Sequence, residues 1–261
     1  MALDPSDTRD YFKAFLKTRA SLDATDVTVC FTGNIYSYGR PEGSRHLFSF
    51  DGVNLARVEK TANGYRMLSR EAGVYRDPES GEILRRWRNP FTGAELEVIH
   101  LWNDPVNNTY DFDKPPVRFG AKVYETRDNV AFAFDALIDY PSPLPVAEYP
   151  KNSSDDVYRA AELLQFITPR AELEDDSSHS SSCVVSWTRL SQWLPWMEMG
   201  SEGGGLLYHC HGVKLPEGAA GLPADFREFL EAHGPQYFQA PESWVEPNET
   251  SWTYFKKLQH G

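Results

Sequence analysis

The chain has 261 residues, 41% of them hydrophobic and 25% charged, with 26 Lys and Arg set against 38 Asp and Glu for a net charge of −12. Its 7 Trp, 13 Tyr and 15 Phe supply enough apolar surface to exclude intrinsic disorder. No apolar run approaches the roughly 18 residues that cross a bilayer, and the acidic balance argues against nucleic acid, whose binding rests on phosphate neutralisation.

The N-terminal MALDPSDTRD has acids near Met1 and no apolar core, so it does not read as a secretory leader and the expected location is the cytoplasm. PSDTRDYFKAFLKTRAS follows, with Tyr11, Phe12, Phe15 and Leu16 at helical spacing behind a proline and a Ser/Asp cap; it predicts an amphipathic helix within residues 1–25. From Val27 the period changes. TVCFTGNIYSYG, HLFSFDGVNLARVEK, GYRMLSREAGVYR, EILRRWR and AELEVIHLWN are alternating, β-branched or aromatic segments. Turn signals divide them at Asp51-Gly52, Asn63-Gly64, Ser80-Gly81 and Thr92-Gly93. FGAKVYETRDNVAFAFDALIDYP predicts a further hairpin turning near Asp128-Asn129, with Val130, Phe132, Phe134, Ala136 and Ile138 facing a core. SDDVYRAAELLQFITP predicts a helix capped at Ser154 and stopped before Pro169.

PSPLPVAEYPKN and the acidic-serine stretch 171–182 read as long surface loops, the latter flexible. Two strands, SCVVSWTRLSQW and GLLYHCHGVKL, then precede helices in PADFREFLEAHG and SWTYFKKLQ. The whole, 1–261, reads as one mainly β (α+β) domain: an antiparallel meander closing into a barrel, with a few peripheral helices. The rival architecture is an open α+β sheet with helices on one face.

Strand alternation selects the candidate site. His209 and His211 share a face with Leu207, Val213 and Leu215, which predicts that this face is interior. His100 and Trp102 align with Leu96 and Val98, and Asn103 opens the next turn; Trp187 and Arg189 align with Cys183 and Val185. An Arg or His pointing into a barrel costs several kcal/mol unless it is paired or used. Each of these residues has a plain structural reading as a satisfied core group, but a lumen lined by Trp, Tyr, His and Arg suits a small aromatic ligand.

Other chemistries have less support. His209 and His211, with His100 or His46 as a third ligand, offer a metal set without the usual ligand spacing, so no metal is expected. No dinucleotide fingerprint, phosphate loop or nucleophile elbow occurs. Cys30, Cys183 and Cys210 read as reduced and buried, and the triplets at Asn107, Asn152 and Asn248 as chance glycosylation matches. Arg86 and Arg88 read as a solvated strand face. The Trp193–Trp196 segment reads as core packing or as a lid over an apolar site, and the aromatic SWTYFKKLQ offers a surface for pairing with a second copy.

HLFSFDGVNLARVEK, WRNPFTGAELEVIHLWNDPVN, SWTRLSQWLPWMEMG, LLYHCHGVKL and PNETSWTYFKK together resemble a bacterial family catalogued as domain of unknown function 1838, from about Phe31 to Lys257. The chain is also similar to the phenylcoumaran γ-formaldehyde lyases of lignin-dimer catabolism. That resemblance implies a cofactor-independent lyase that opens the ring ether of an aromatic dimer and releases formaldehyde to leave a stilbene. On this expectation His100 and His209 are bases and Arg189 stabilises the departing phenoxide, while Trp102, Asn103, Trp187, Tyr208 and Trp196 hold the aryl groups. The alternatives are a binding barrel without turnover and a His-ligated metalloenzyme.

Overall fold

The structure is a computed structural model that describes residues 4, 6–114 and 121–260. Met1, Pro5 and the first two residues of the predicted 119–141 hairpin segment lie outside the described residues.

Helix α1 (Thr8–Arg19) starts where the Asp7 carboxylate accepts hydrogen bonds from the backbone N–H groups of Arg9 and Asp10, at 2.7 and 3.2 Å. Three long strands follow, β1 (Val27–Tyr38), β2 (His46–Thr61) and β3 (Gly64–Arg76). Next come the short strands β4 (Arg86–Arg88), β5 (Glu95–Glu97), β6 (Leu101–Asn103) and β7 (Asn108–Asp111). A second meander comprises β8 (Lys122–Glu125), β9 (Asn129–Pro141) and β10 (Val157–Pro169). The short α2 (Arg170–Glu174) leads to β11 (Val184–Ser191) and β12 (Gly205–Leu215), and α3 (Ala224–His233) and α4 (Ser251–His260) complete the chain.

The two meanders join where β1 pairs with β12, giving one antiparallel sheet in the order β6-β3-β2-β1-β12-β11-β10-β9-β8, with β7 also on β3. Mainly β architecture is therefore as expected, but among the described residues no ladder joins the two ends of the sheet, and it does not close into a barrel. Helix α1 bridges its concave side instead: Phe12 packs on Tyr110 from one meander, while Phe15 packs on Phe132, Phe134 and Phe166 from the other. The side chains of Tyr11, Phe15 and Arg19, one helical turn apart, share this inward face. On the convex side, α3 buries Phe226 and Leu230 against Val53, Leu55, Ala72 and Val74 of β2 and β3.

Several expectations are corrected. The segment expected to form a helix from Ser154 is strand β10, paired along its whole length with β9 and β11. Its inward row, Ala160, Glu162 and Leu164, contains a carboxylate, and its outward Leu163 is 44% exposed, so the period-two apolar signal is blurred. No turn interrupts β2 at Asp51-Gly52. Gly52 pairs with Gly73, and a Cβ on either would lie within 2.8 Å of the Phe50 ring. These glycines mark a close approach within the sheet, not a turn. The 171–182 stretch holds all but the first residue of α2, and it is hydrogen-bonded to α1 through Ser181 N–H to Lys17 O (3.0 Å) and to the segment after α1 through Leu22 N–H to His179 O (3.0 Å).

Candidate functional site

The concave face encloses a cavity of about 750 Å³ walled by α1, strands of both meanders and the start of α4. Its middle is apolar, with Phe31, Phe50, Trp187, Phe134 and Leu164 facing inward from five strands. Trp187 packs edge-on to Phe31 at 5.7 Å and tilted on Tyr208 at 5.6 Å. Flat seating of Phe31 requires Gly212 on the neighbouring strand, where a Cβ would meet the ring at 2.8 Å. The sequence thus spends small residues on the sheet to lay rings along the cavity floor.

Polar groups collect at two ends. At the first, Arg189 of β11 donates from Nη1 to Glu162 Oε1 and from Nη2 to the Tyr158 hydroxyl. The register explains the cluster: Arg189 lies opposite Glu162 on β10 and Tyr208 on β12. Burial opposes the Arg189 charge, but Tyr158, Glu162 and Tyr208 outweigh it and hold the guanidinium more firmly protonated than usual. The Tyr208 and Tyr75 hydroxyls are hydrogen-bonded to each other, and burial pushes both phenols above their ordinary range.

At the second end, Glu71 of β3 accepts from Asn54 Nδ2 at 2.9 Å and from Asn103 Nδ2 at 3.5 Å. All three occupy one inward row, since Asn54, Glu71 and Asn103 are register partners on β2, β3 and β6. The exposed surface of Glu71 faces the cavity rather than bulk solvent. Burial pushes its carboxyl above the usual carboxylate range despite the opposing amide hydrogen bonds and the charge of Arg19. Arg19 and Tyr11 complete this end from α1. Glu71 and Tyr75 are four residues apart on β3, about 13 Å along the strand.

Of the residues singled out from sequence, Arg189, Trp187, Tyr208 and Asn103 line this cavity. His100, His209, Trp102 and Trp196 do not. His100 lies in the connection between β5 and β6, and its Nδ1 accepts the Tyr75 backbone N–H at 3.2 Å. The ring proton therefore sits on Nε2, hydrogen-bonded to the Leu84 backbone, and burial lowers the pKa to about 4. This is a neutral structural histidine.

His209 and His211 point outward from β12 and are exposed; the interior row is Leu206, Tyr208, Cys210, Gly212 and Lys214. The expected face was inverted because the inward positions are polar or small: Gly212 makes room for Phe31, and Lys214 Nζ donates to the carbonyls of Lys17, Thr18 and Ala20 at the end of α1, at 3.1, 3.1 and 2.5 Å. Trp102 packs on Phe229 and Tyr237 at the convex side. Trp196, with Trp193, Met197 and Met199, belongs to the buried core beside the cavity, packing on Phe48, Tyr75 and Trp87.

Sequence reasoning passed over Glu71, Asn54, Tyr158, Glu162 and Arg19. One signal for Arg19 was present: a charge at i+8 on the apolar stripe of Tyr11 and Phe15. Glu162 was hidden by the helical reading of its strand. Among the described residues no three His, Cys, Asp or Glu side chains cluster as a metal set. No described helix is long and apolar enough to cross a membrane. The three cysteines are unpaired with one another, and burial pushes the Cys30, Cys183 and Cys210 thiols up to about 11, 11 and 12.

No curated protein gives a significant match to the chain, and the similarity to formaldehyde lyases gains no support from such a match. Residues 24–259 match the model of a family described as protein of unknown function (DUF1838), and the chain belongs to that family.

Proposed function

We propose that the cavity takes an elongated two-ring aromatic molecule bearing oxygen functions at both ends and cleaves it by acid/base chemistry, as a lyase of the phenylcoumaran type. The observation that carries this reading is the aromatic chamber of about 750 Å³ with a charged, hydrogen-bonding cluster at each end. Its size falls within the range of small-molecule sites, roughly 300–1,000 Å³.

The reaction needs no net oxidation or reduction. A para-phenol at the first end loses its proton toward Glu162, and Arg189 with the Tyr208 hydroxyl stabilises the phenolate. Electrons from that oxygen move through the ring and break the benzylic C–O bond, giving a quinone methide. Glu71, whose carboxyl burial pushes above the usual carboxylate range, protonates the departing phenoxide. The resulting carboxylate accepts the proton of the side-chain alcohol. The bond from the hydroxymethyl carbon then breaks, its electrons restore the aromatic ring, and formaldehyde departs. Glu162 returns its proton to the phenolate, leaving a stilbene and an enzyme with every proton accounted for.

Incubation with phenylcoumaran dimers, followed by formaldehyde trapping and ultraviolet detection of stilbene, tests the reading. Stoichiometric formaldehyde and stilbene support it. Saturable quenching of tryptophan fluorescence with neither product would replace it with a binding protein without turnover. That rival is favoured by one observation: Glu162 and Tyr158 already occupy Arg189.

A further inference from the structure

Arg19 is a buried cation without an ion-pair partner among the described residues. It is 7% exposed, makes none of the chain's ion pairs among the described residues, and its Nη1 has no hydrogen-bonding partner there. Its guanidinium lies 5.7 Å from the Phe166 ring centroid, a contact that does not satisfy the N–H groups. Tyr11, 2% exposed and two turns earlier on the same face of α1, presents a hydroxyl that is equally unpartnered among the described residues. Both side chains line the cavity. An unpaired buried charge is costly, and a fold retains one where something else supplies the opposite charge. Glu71 is the nearest candidate, but it makes no contact with Arg19 within ion-pair distance, and its oxygens accept from Asn54 and Asn103.

We propose that Arg19 and Tyr11 form an anion receptor that holds a carboxylate at the end of the aromatic substrate remote from Arg189. The inference rests on the two-ring reading above and narrows it: the substrate class is aryl carboxylates, not neutral alcohols or aldehydes. The planar guanidinium presents paired N–H donors to the two oxygens of a carboxylate, and the Tyr11 hydroxyl adds a further donor on the same face of α1. The overall charge of −12 does not preclude an anionic ligand, because exposed charges are screened over about 8–10 Å while a desolvated guanidinium acts at contact. Within the chamber the ligand charge neutralises Arg19, and the apolar middle takes the rings.

The test compares two probes, a phenylcoumaran with a propenoic acid on its second ring and the methyl ester of the same molecule. Both are titrated into the full chain by calorimetry, with formaldehyde release followed in parallel. The acid should bind about 10- to 100-fold more tightly than the ester, the range for a hydrogen-bonded charge pair. Arg19→Met should erase that preference by weakening the acid far more than the ester, Arg19→Lys should retain part of it, and Tyr11→Phe should narrow it several-fold. Equal binding of acid and ester by the unaltered protein, or an acid preference that survives Arg19→Met, overturns the receptor. If Arg19→Met fails to fold, the acid-to-ester ratio of the unaltered protein and of Tyr11→Phe decides. Formaldehyde release from both probes with equal binding would sink the receptor and spare the lyase reading. An Arg19-dependent acid preference without formaldehyde would do the reverse.

Discussion

The two ends of the cavity treat charge in opposite ways. At one, Arg189 is paired with Glu162 and Tyr158 and keeps further N–H donors, and the Tyr75 and Tyr208 hydroxyls adjoin it. At the other, Arg19 Nη1, Tyr11 Oη, Asn54 Oδ1 and Asn103 Oδ1 are all buried without partners. A network paired before any ligand arrives is preorganised, so it can answer charge that develops during a reaction without rearranging. A network with unpaired members gains its missing hydrogen bonds only on binding. On the proposed reading the first end stabilises the phenolate, the open end sets binding specificity, and Glu71, at the open end, is the acid/base where the two roles meet.

Removing the carboxyl at that meeting point should have the largest effect. Glu71→Gln keeps size but ends proton exchange, and it replaces one of the two oxygens that accept from Asn54 and Asn103 by an NH2 group, which the facing amide can meet by turning its own oxygen toward it; kcat for formaldehyde release should fall about 10²- to 10⁴-fold. Ligand affinity, read by calorimetry, should change little, and thermal stability should hold or rise, because a buried ionisable group is replaced by a neutral one. An unchanged kcat would move the acid/base role elsewhere. Next in size is Arg189→Met, expected to cost about 10²- to 10³-fold in kcat as an electrostatic stabiliser is lost. It also leaves Glu162 without its cation, so the midpoint of urea unfolding should fall, and Arg189→Met with Glu162→Gln should recover stability but not turnover. Recovery of both would reduce the cluster to a structural ion pair.

A smaller effect should come from the cavity floor. A methyl group at Gly73 would meet the Phe50 ring at 2.6 Å, with the Asp51 carbonyl oxygen at 3.2 Å. Gly73→Ala should push the ring into the chamber, cost about 1–3 kcal/mol through overpacking, and weaken binding of two-ring ligands more than of one-ring phenols. Equal loss for both ligand sizes would mean that Phe50 does not limit the length of the chamber.

The same residues explain how far the sequence could be read. Helix α1, the Asn63-Gly64 and Ser80-Gly81 turns, the inward row of β9 and the pairing of Trp187 with Arg189 on one face are local properties of spacing and turn chemistry, and all were legible. Reading failed where the interior is polar. Glu162 on β10, and Gly212 and Lys214 on β12, occupy inward positions that a hydrophobic pattern assigns to the surface, and outward Leu163 and Val213 are 44% and 42% exposed. Those inversions fall on the strands that supply one charged cluster and the anchor for α1. Local rules fail there because a lined cavity, not a filled core, sets the residue choice.

The weakest effects on turnover are expected from the two histidines that sequence spacing favoured as bases. His209→Ala, on the convex surface, should leave kcat and affinity unchanged. His100→Gln should act on stability through pH instead. The folded-state pKa of His100 is lowered to about 4 from an unfolded value of 6.5, so below pH 6.5 the unfolded chain takes up the proton that the folded one refuses. The contribution of the neutral ring is thus fully present above pH 6.5 and is lost as pH falls toward 4, at most about 3 kcal/mol. Urea denaturation at stepped pH should show that loss in the unaltered protein and a shallower dependence in His100→Gln. If His209→Ala stops formaldehyde release while the fold persists, the chemistry lies on the convex face, and neither end of the cavity performs it.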